Sequence, residues 1–273
     1  MAAGGTGDCA ARPPDRARRR TARRWQWPVR RALPSWRPWR AGLCVCLALL
    51  LPSAVSAEPR IEAARLILPT GRYPHGVLGD RIEHGGMALQ LSDGRQLRMI
   101  LPESLVFEDT APRLADLDGD GAPEVLVVES SLSRGARLAV WDAQGRRSAT
   151  AFIGQPWRWL APLGAADLDG DGRIEIAYVD RPHLVKTLRL LRYEDGALTP
   201  LASAPDVSNH RIGWTEIAGG LRLCPGTPPE MILADGDWHQ VLALRLTPQG
   251  AILRRVLGPY AGLDSLASAQ RCD

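Results

Sequence analysis

Between residues 61 and 260 the chain is built from short apolar runs, each ended by a polar turn, and no helical period is sustained anywhere. Four of these runs end alike, at residues 89–94, 140–145, 191–196 and 244–250. Each is a strand running into a glycine, and a glycine that tolerates positive φ is a hairpin signal. The four glycines, Gly94, Gly145, Gly196 and Gly250, lie 51, 51 and 54 residues apart. Within the third unit the pattern predicts strands over residues 159–168, 174–179, 188–193 and 198–202. Four antiparallel strands in about 50 residues is the order of a β-propeller blade. The expected fold is all-β and β-propeller-like, with about four four-stranded blades of about 51 residues. By the same register, residues 263–269 fall where another inner strand would close the ring. An open ring, or one completed by a second chain, fits the pattern equally.

A second marker shares the period. Residues 115–125 and 166–176 both read Ala-Asp-Leu-Asp-Gly-Asp-Gly, two further residues, then Glu and an apolar residue, again 51 apart. Each loop gathers four carboxylates that repel one another until a hard divalent cation with oxygen ligands relieves them, and the glycines let the chain wrap around it. An EF-hand is the competing reading. It fails because the flanks are strand-like and the twelfth position, a Glu in EF-hands, is Val127 in one copy and Tyr178 in the other.

The loops resemble those of the FG-GAP/VCBS repeat family, whose propeller blades carry a calcium loop of the form D-x-D-x-D-G-x-x-[D/E]. The resemblance is specific over the two loops and weaker over residues 61–260. It implies two calcium ions with a structural role. The first ligand set would be Asp116, Asp118, Asp120 and Glu124 with the carbonyl of Ala122. The second would be Asp167, Asp169, Asp171 and Glu175 with the carbonyl of Arg173. It implies no single activity, because one fold hosts many functions.

Charge divides the chain. Residues 1–57 hold 11 Arg against 2 Asp, which leaves 23 basic and 28 acidic side chains for residues 58–273. The first segment runs from arginines through an apolar stretch at 41–51 to Val55 and Ala57 at the small-residue positions before Glu58. That order is a secretory signal peptide, and the stretch is far short of the ~20 residues a bilayer needs. Residues 1–57 are therefore read as a signal peptide, with Val29 a candidate translation start, and residues 58–273 as one β-propeller-like domain. The expected location is periplasmic or secreted, with no transmembrane segment after cleavage. A mildly acidic domain argues against nucleic acid as a partner. Of the five cysteines, Cys224 and Cys272 remain after cleavage. Two in an oxidising compartment predict a disulfide, and register places both at loop ends.

In a blade of this order, the loops joining the second and third strands and the links between blades lie opposite the acidic loops. Register assigns His84, Arg134, His183 and His239 to the four equivalent second-to-third-strand loops. Asp180, Arg181, Asp235, Asp237 and Trp238 accompany them, and the links add Glu103, Trp157, Arg158, His210 and Arg211. The candidate ligand face comprises His84, Trp157, Asp180, Arg181, His183, His210, Trp238 and His239. Its chemistry suits a protein, a peptide, a carbohydrate or an anionic metabolite. His75 falls inside a strand by register and is read as a packed or hydrogen-bonded histidine. No nucleophile elbow, phosphate loop or zinc-protease helix is present in the sequence. The reading is a calcium-stabilised binding module, with a hydrolase or lyase using Asp180, His183 and His210 as the alternative.

Overall fold

The computed structural model describes residues 58–272, so the expected signal peptide lies outside the described residues. The fold is all-β apart from one short helix. The first unit holds β1 (Ile61–Thr70), β2 (Glu83–Leu91) and β3 (Gln96–Ile100). The second holds β4 (Leu105–Phe107), β5 (Arg113–Ala115), β6 (Glu124–Ser131), β7 (Gly135–Asp142) and β8 (Gly145–Ala149). The third is β9 (Leu160–Ala166), β10 (Glu175–Asp180), β11 (Thr187–Glu194) and β12 (Ala197–Pro205). The fourth is β13 (Val207–Ser208), β14 (Gly220–Arg222), β15 (Glu230–Asp235), β16 (Gln240–Leu246) and β17 (Ile252–Pro259), followed by α1 (Leu263–Ala269).

All pairing is antiparallel, and the four hairpin glycines have positive φ as the turns require. The third unit is a plain four-stranded sheet in the order β12-β11-β10-β9. The others depart from that pattern. The first has three strands, with β2 between β1 and β3. The inner strands of the second and fourth units are each broken in two, β4/β5 and β13/β14. β4 also touches β2 at the pair His84 and Phe107, so the first two units join into one eight-stranded sheet.

The sheets stack through continuous cores because their central strands are apolar on both faces. Along β6, Val125 and Val127 pack toward the first unit with Met87 and Leu89. Leu126 and Leu138 of the second unit pack toward the third with Ile176 and Leu191. Val179 and Leu190 then meet Met231 and Leu233 of the fourth. Strands buried on both sides read as apolar runs rather than alternation.

The fourth sheet's outer face breaks the series, since α1 covers it. Leu266 is buried there against Ile232, Val241 and Ala243. The expected closing strand at 263–269 is thus corrected to a helix. Its apolar positions Leu263, Leu266 and Ala269 recur every three residues, none of its residues is β-branched, and Asp264 sits in the first turn, all of which favour a helix. The first and fourth units meet instead through loops, where the Gly213 N–H donates to the Val77 carbonyl at 2.9 Å. Cys224 and Cys272 are joined by a disulfide with their Cα atoms 5.5 Å apart, but the helix and not a strand delivers Cys272.

Candidate functional site

The two acidic loops join β5 to β6 and β9 to β10, at the same ends of the sheets as the hairpin glycines. Gly119 and Gly121 adopt positive φ, as do Gly170 and Gly172, which lets each loop fold back over its first aspartate. Asp116 accepts from the N–H groups of Gly119 (2.8 Å) and Gly121 (3.0 Å), and Asp167 from those of Gly170 (2.7 Å) and Gly172 (3.0 Å). One carboxylate oxygen each from Asp116, Asp118 and Glu124 lies within 4.8 Å of the others, and the same holds for Asp167, Asp169 and Glu175. Hard oxygen donors gathered this closely fit a calcium ion.

The remaining expected ligands behave differently. Asp120 and Asp171 close the turns by accepting the N–H groups of Ala122 (2.7 Å) and Arg173 (2.9 Å), and neither belongs to the close triads. Glu124 is buried and accepts the Leu117 N–H at 2.9 Å. Burial, with Asp118 and Asp120 nearby, pushes its carboxyl up to about 7. Glu175 accepts the equivalent Leu168 N–H at 2.9 Å, and its other oxygen is held by Arg192. Arg192 also contacts Asp169 (3.1 Å) and Asp171 (3.0 Å).

At the opposite strand ends, Trp157, Arg181 and His183 line a cavity of about 380 Å³ together with His75, Leu184 and Ile212. The Trp157 ring stacks on Tyr73 at 4.6 Å, and the Trp157 backbone N–H donates to the Tyr73 hydroxyl at 2.7 Å. Trp157 (φ 58°) and Arg181 (φ 45°) both hold backbone conformations unfavourable to bulky residues. Such strain persists where surrounding contacts over-determine it, and it clusters at functional sites.

The breaks in the two inner strands each put a buried polar group behind this cavity. Glu108, between β4 and β5, accepts from His75 Nδ1 at 2.5 Å and from the Ser130 hydroxyl. Burial raises its carboxyl, and the His75 bond opposes that rise. His210, in the break between β13 and β14, sits 3.1 Å from His183 Nε2 through its Nδ1, and its Nε2 donates to the Trp214 carbonyl at 3.0 Å. That chain assigns the tautomers: His183 donates from Nε2 and keeps Nδ1 as an acceptor. Burial, and then His210, lowers His183 to about 4, so it stays neutral.

Of the expected ligand face, Trp157, Arg181, His183 and His210 come together. Asp180 does not join the histidines, because Arg181 (2.8 Å) and Arg189 (3.5 Å) hold its carboxylate. His84 is corrected from a loop to strand β2, since the first unit's loop runs over 71–82. Trp238 belongs to a separate cluster, its ring 5.1 Å from those of Trp214 and Tyr260, with Arg211 4.8 Å above it. His239 is exposed beside β16. His75 lies in a loop rather than a strand, and the Pro74–Gly76 punctuation around it was the available signal. Glu108 was missed altogether, because an acid beside Phe107 reads from sequence as a solvated turn.

Residues 116–178, which span both acidic loops, match the family model described as an FG-GAP-like repeat. No curated protein matches the chain. No helix among the described residues is long and apolar enough to cross a membrane.

Proposed function

We propose that residues 58–273 form an exported, calcium-stabilised module of propeller-like blades that binds a ligand or partner at the cavity of His75, Trp157 and His183. The observation that carries this reading is the pairing of each cavity histidine with a buried partner, Glu108 or His210, supplied by an interrupted inner strand. Buried polar groups disfavour folding unless they are satisfied, so two such anchors behind one cavity favour a built site over a loop surface. A disulfide agrees with an oxidising compartment.

Asp116, Asp118 and Glu124 would hold one calcium ion, and Asp167, Asp169 and Glu175 a second. Each ion supplies fixed positive charge that offsets the carboxylates' repulsion and pins two strands. The binding reading is tested by thermal-shift measurement against a panel of oligosaccharides and short peptides. A stabilising compound should lose its effect in Trp157→Ala and His183→Ala, and a panel hit indifferent to both changes would move the site elsewhere.

One observation favours a second reading, a hydrolase or lyase on the same scaffold. A buried carboxylate that holds His75 Nδ1 leaves Nε2 to take a proton, as in a base oriented by a third group. Screening ester, glycoside and uronide hydrolysis or elimination would separate the readings, with activity lost in His75→Ala under the second.

A further inference from the structure

A larger cavity, of about 670 Å³, opens on the fourth unit, and neither the triad carboxylates nor the histidines line it. Five arginines line it: Arg222, Arg245, Arg254, Arg255 and Arg271. Pairing explains the common direction of two of them, Arg245 and Arg255; Arg254 lies opposite Leu244, on the other face of β17. Opposite Ala243 on β16 lies Arg255 of β17, and opposite Arg245 lies Leu253, so these four share one face of the sheet. It is the face that α1 covers farther along, where Ala243 meets Leu266. The uncovered end carries guanidinium groups.

Acidic partners do not balance them. Glu230 accepts from Arg222 and, at 2.8 Å, from Arg255. Asp206 lies 3.5 Å from Arg254, which also donates to the carbonyls of Pro205 (2.6 Å) and Asp206 (2.9 Å). Arg271 donates to the Ser268 hydroxyl at 2.7 Å, and among the described ion pairs neither it nor Arg245 has an acidic partner. Among the described residues, two acids therefore answer five arginines, in a domain whose overall balance is acidic. Arg245 also borders a smaller neighbouring cavity whose far wall includes Asp169.

The wall is held in place covalently. The Cys224–Cys272 disulfide fixes residues 271–272 beside β14, and Arg222 donates to the Ala269 carbonyl at 2.8 Å at the end of α1. The tail that α1 and the disulfide anchor thus contributes Arg271 to the cavity.

We propose that this cavity binds a ligand bearing sulfate or phosphate ester groups, and that the disulfide assembles the site. Arginine forks match oxyanions with paired N–H donors. A carboxylate offers two oxygens, and Glu230 already shows that arrangement, one arginine on each. A tetrahedral ester offers a third terminal oxygen, which suits Arg245 and Arg271, the two arginines without an acidic partner among the described ion pairs.

The test is calorimetric titration of the purified, oxidised protein in calcium-containing buffer with sucrose octasulfate, fructose 1,6-bisphosphate and trigalacturonate. One molecule of the sulfate or phosphate probe should bind per chain, more weakly as salt rises, and the stronger of the two identifies the source. Arg245→Gln and Arg271→Gln should each weaken binding about tenfold. The double change Cys224→Ser with Cys272→Ser should also weaken it, with the circular dichroism of the sheets retained. Arg271→Gln, at an exposed position, keeps the test valid if the cysteine variant does not fold. The proposal falls if neither ester probe binds at low salt, if trigalacturonate binds as tightly, or if both arginine variants bind undiminished. It also falls if Arg158→Gln, in the histidine-lined cavity, is the change that removes binding.

Discussion

The two acidic loops share a sequence, a backbone and a 51-residue spacing, yet they are neutralised in different ways. In the first, Glu124 spends one oxygen on the Leu117 N–H, and no arginine reaches its carboxylates among the described ion pairs. In the second, Glu175 makes the same backbone bond, but Arg192 occupies its other oxygen and spans to Asp169 and Asp171. A cation entering the first loop meets carboxyl groups that no arginine holds among the described ion pairs. One entering the second must share the site with a guanidinium or displace it.

Strand register produces the difference. The residue 51 before Arg192 is Trp141, but Trp141 lies opposite Val125, whereas Arg192 lies opposite Glu175. The third sheet is therefore one residue out of step with the second, and a one-residue slip exchanges the faces of a strand. Trp141 turns away and donates from Nε1 to the buried Glu129 at 2.9 Å. A shared motif therefore fixes the loop's shape but not how its carboxylates are neutralised. The fourth unit solves the same problem a third way, with a disulfide at Cys224 where the carboxylates are missing.

The largest expected effect comes from that third arrangement. Replacing Cys224 and Cys272 by serine opens a 48-residue loop and should lower stability by about 4 kcal/mol on the chain-entropy model. Denaturant unfolding should give the same loss with and without calcium. A loss that calcium repairs would mean the three loops are not independently pinned.

Next in size is Arg192→Leu. It leaves Glu175 buried without its cation, and breaking one side of a buried pair should destabilise the calcium-free protein by about 3 kcal/mol. Saturating calcium should recover much of that, because the ion can now take the oxygen Arg192 held. If calcium recovers nothing, the second loop is an arginine-closed turn rather than a metal site.

Third is the pair Asp118→Ala and Asp169→Ala. An ion at a hundred times its dissociation constant stabilises the folded state by about 2.7 kcal/mol. Asp118→Ala should remove most of the calcium-dependent rise in melting temperature, and Asp169→Ala little of it. Titration after chelation should correspondingly show a tight site that the first change abolishes and a weak one that the second abolishes. Equal losses would refute the role given to Arg192.

Period and motif carried most of the fold into the sequence. The glycine turns at Gly94, Gly145, Gly196 and Gly250, the third unit's four strands and both acidic loops are where the pattern put them. Local patterns were enough there because each feature is set within one hairpin. What failed depended on partners distant in sequence. Residues 263–269 were assigned a strand only by extending the register, and Leu266 instead packs from a helix on Ile232 and Val241. The histidine cavity was half legible, since Trp157, His183 and His210 could be placed by register. Glu108 and His75 could not, because they meet across 33 residues through a strand break no period announces.

The smallest prediction isolates exposure from charge. Arg173 stands 51 residues after Ala122, so it is the second arginine that the second loop has and the first lacks. It contacts Asp171 at 2.7 Å and Glu194 at 2.5 Å, but its side chain is 54% exposed, against 8% for Arg192. Water and salt screen an exposed pair, and they screen a buried one much less. Arg173→Ala should therefore leave the melting temperature of the calcium-free protein nearly unchanged. Removing a nearby positive charge should still tighten calcium at the second loop, by about threefold at low salt and less at high salt. Calorimetry at two ionic strengths checks both parts. An affinity gain as large as that of Arg192→Leu would show that total charge near the loop, and not the buried guanidinium on Glu175, sets the two loops apart.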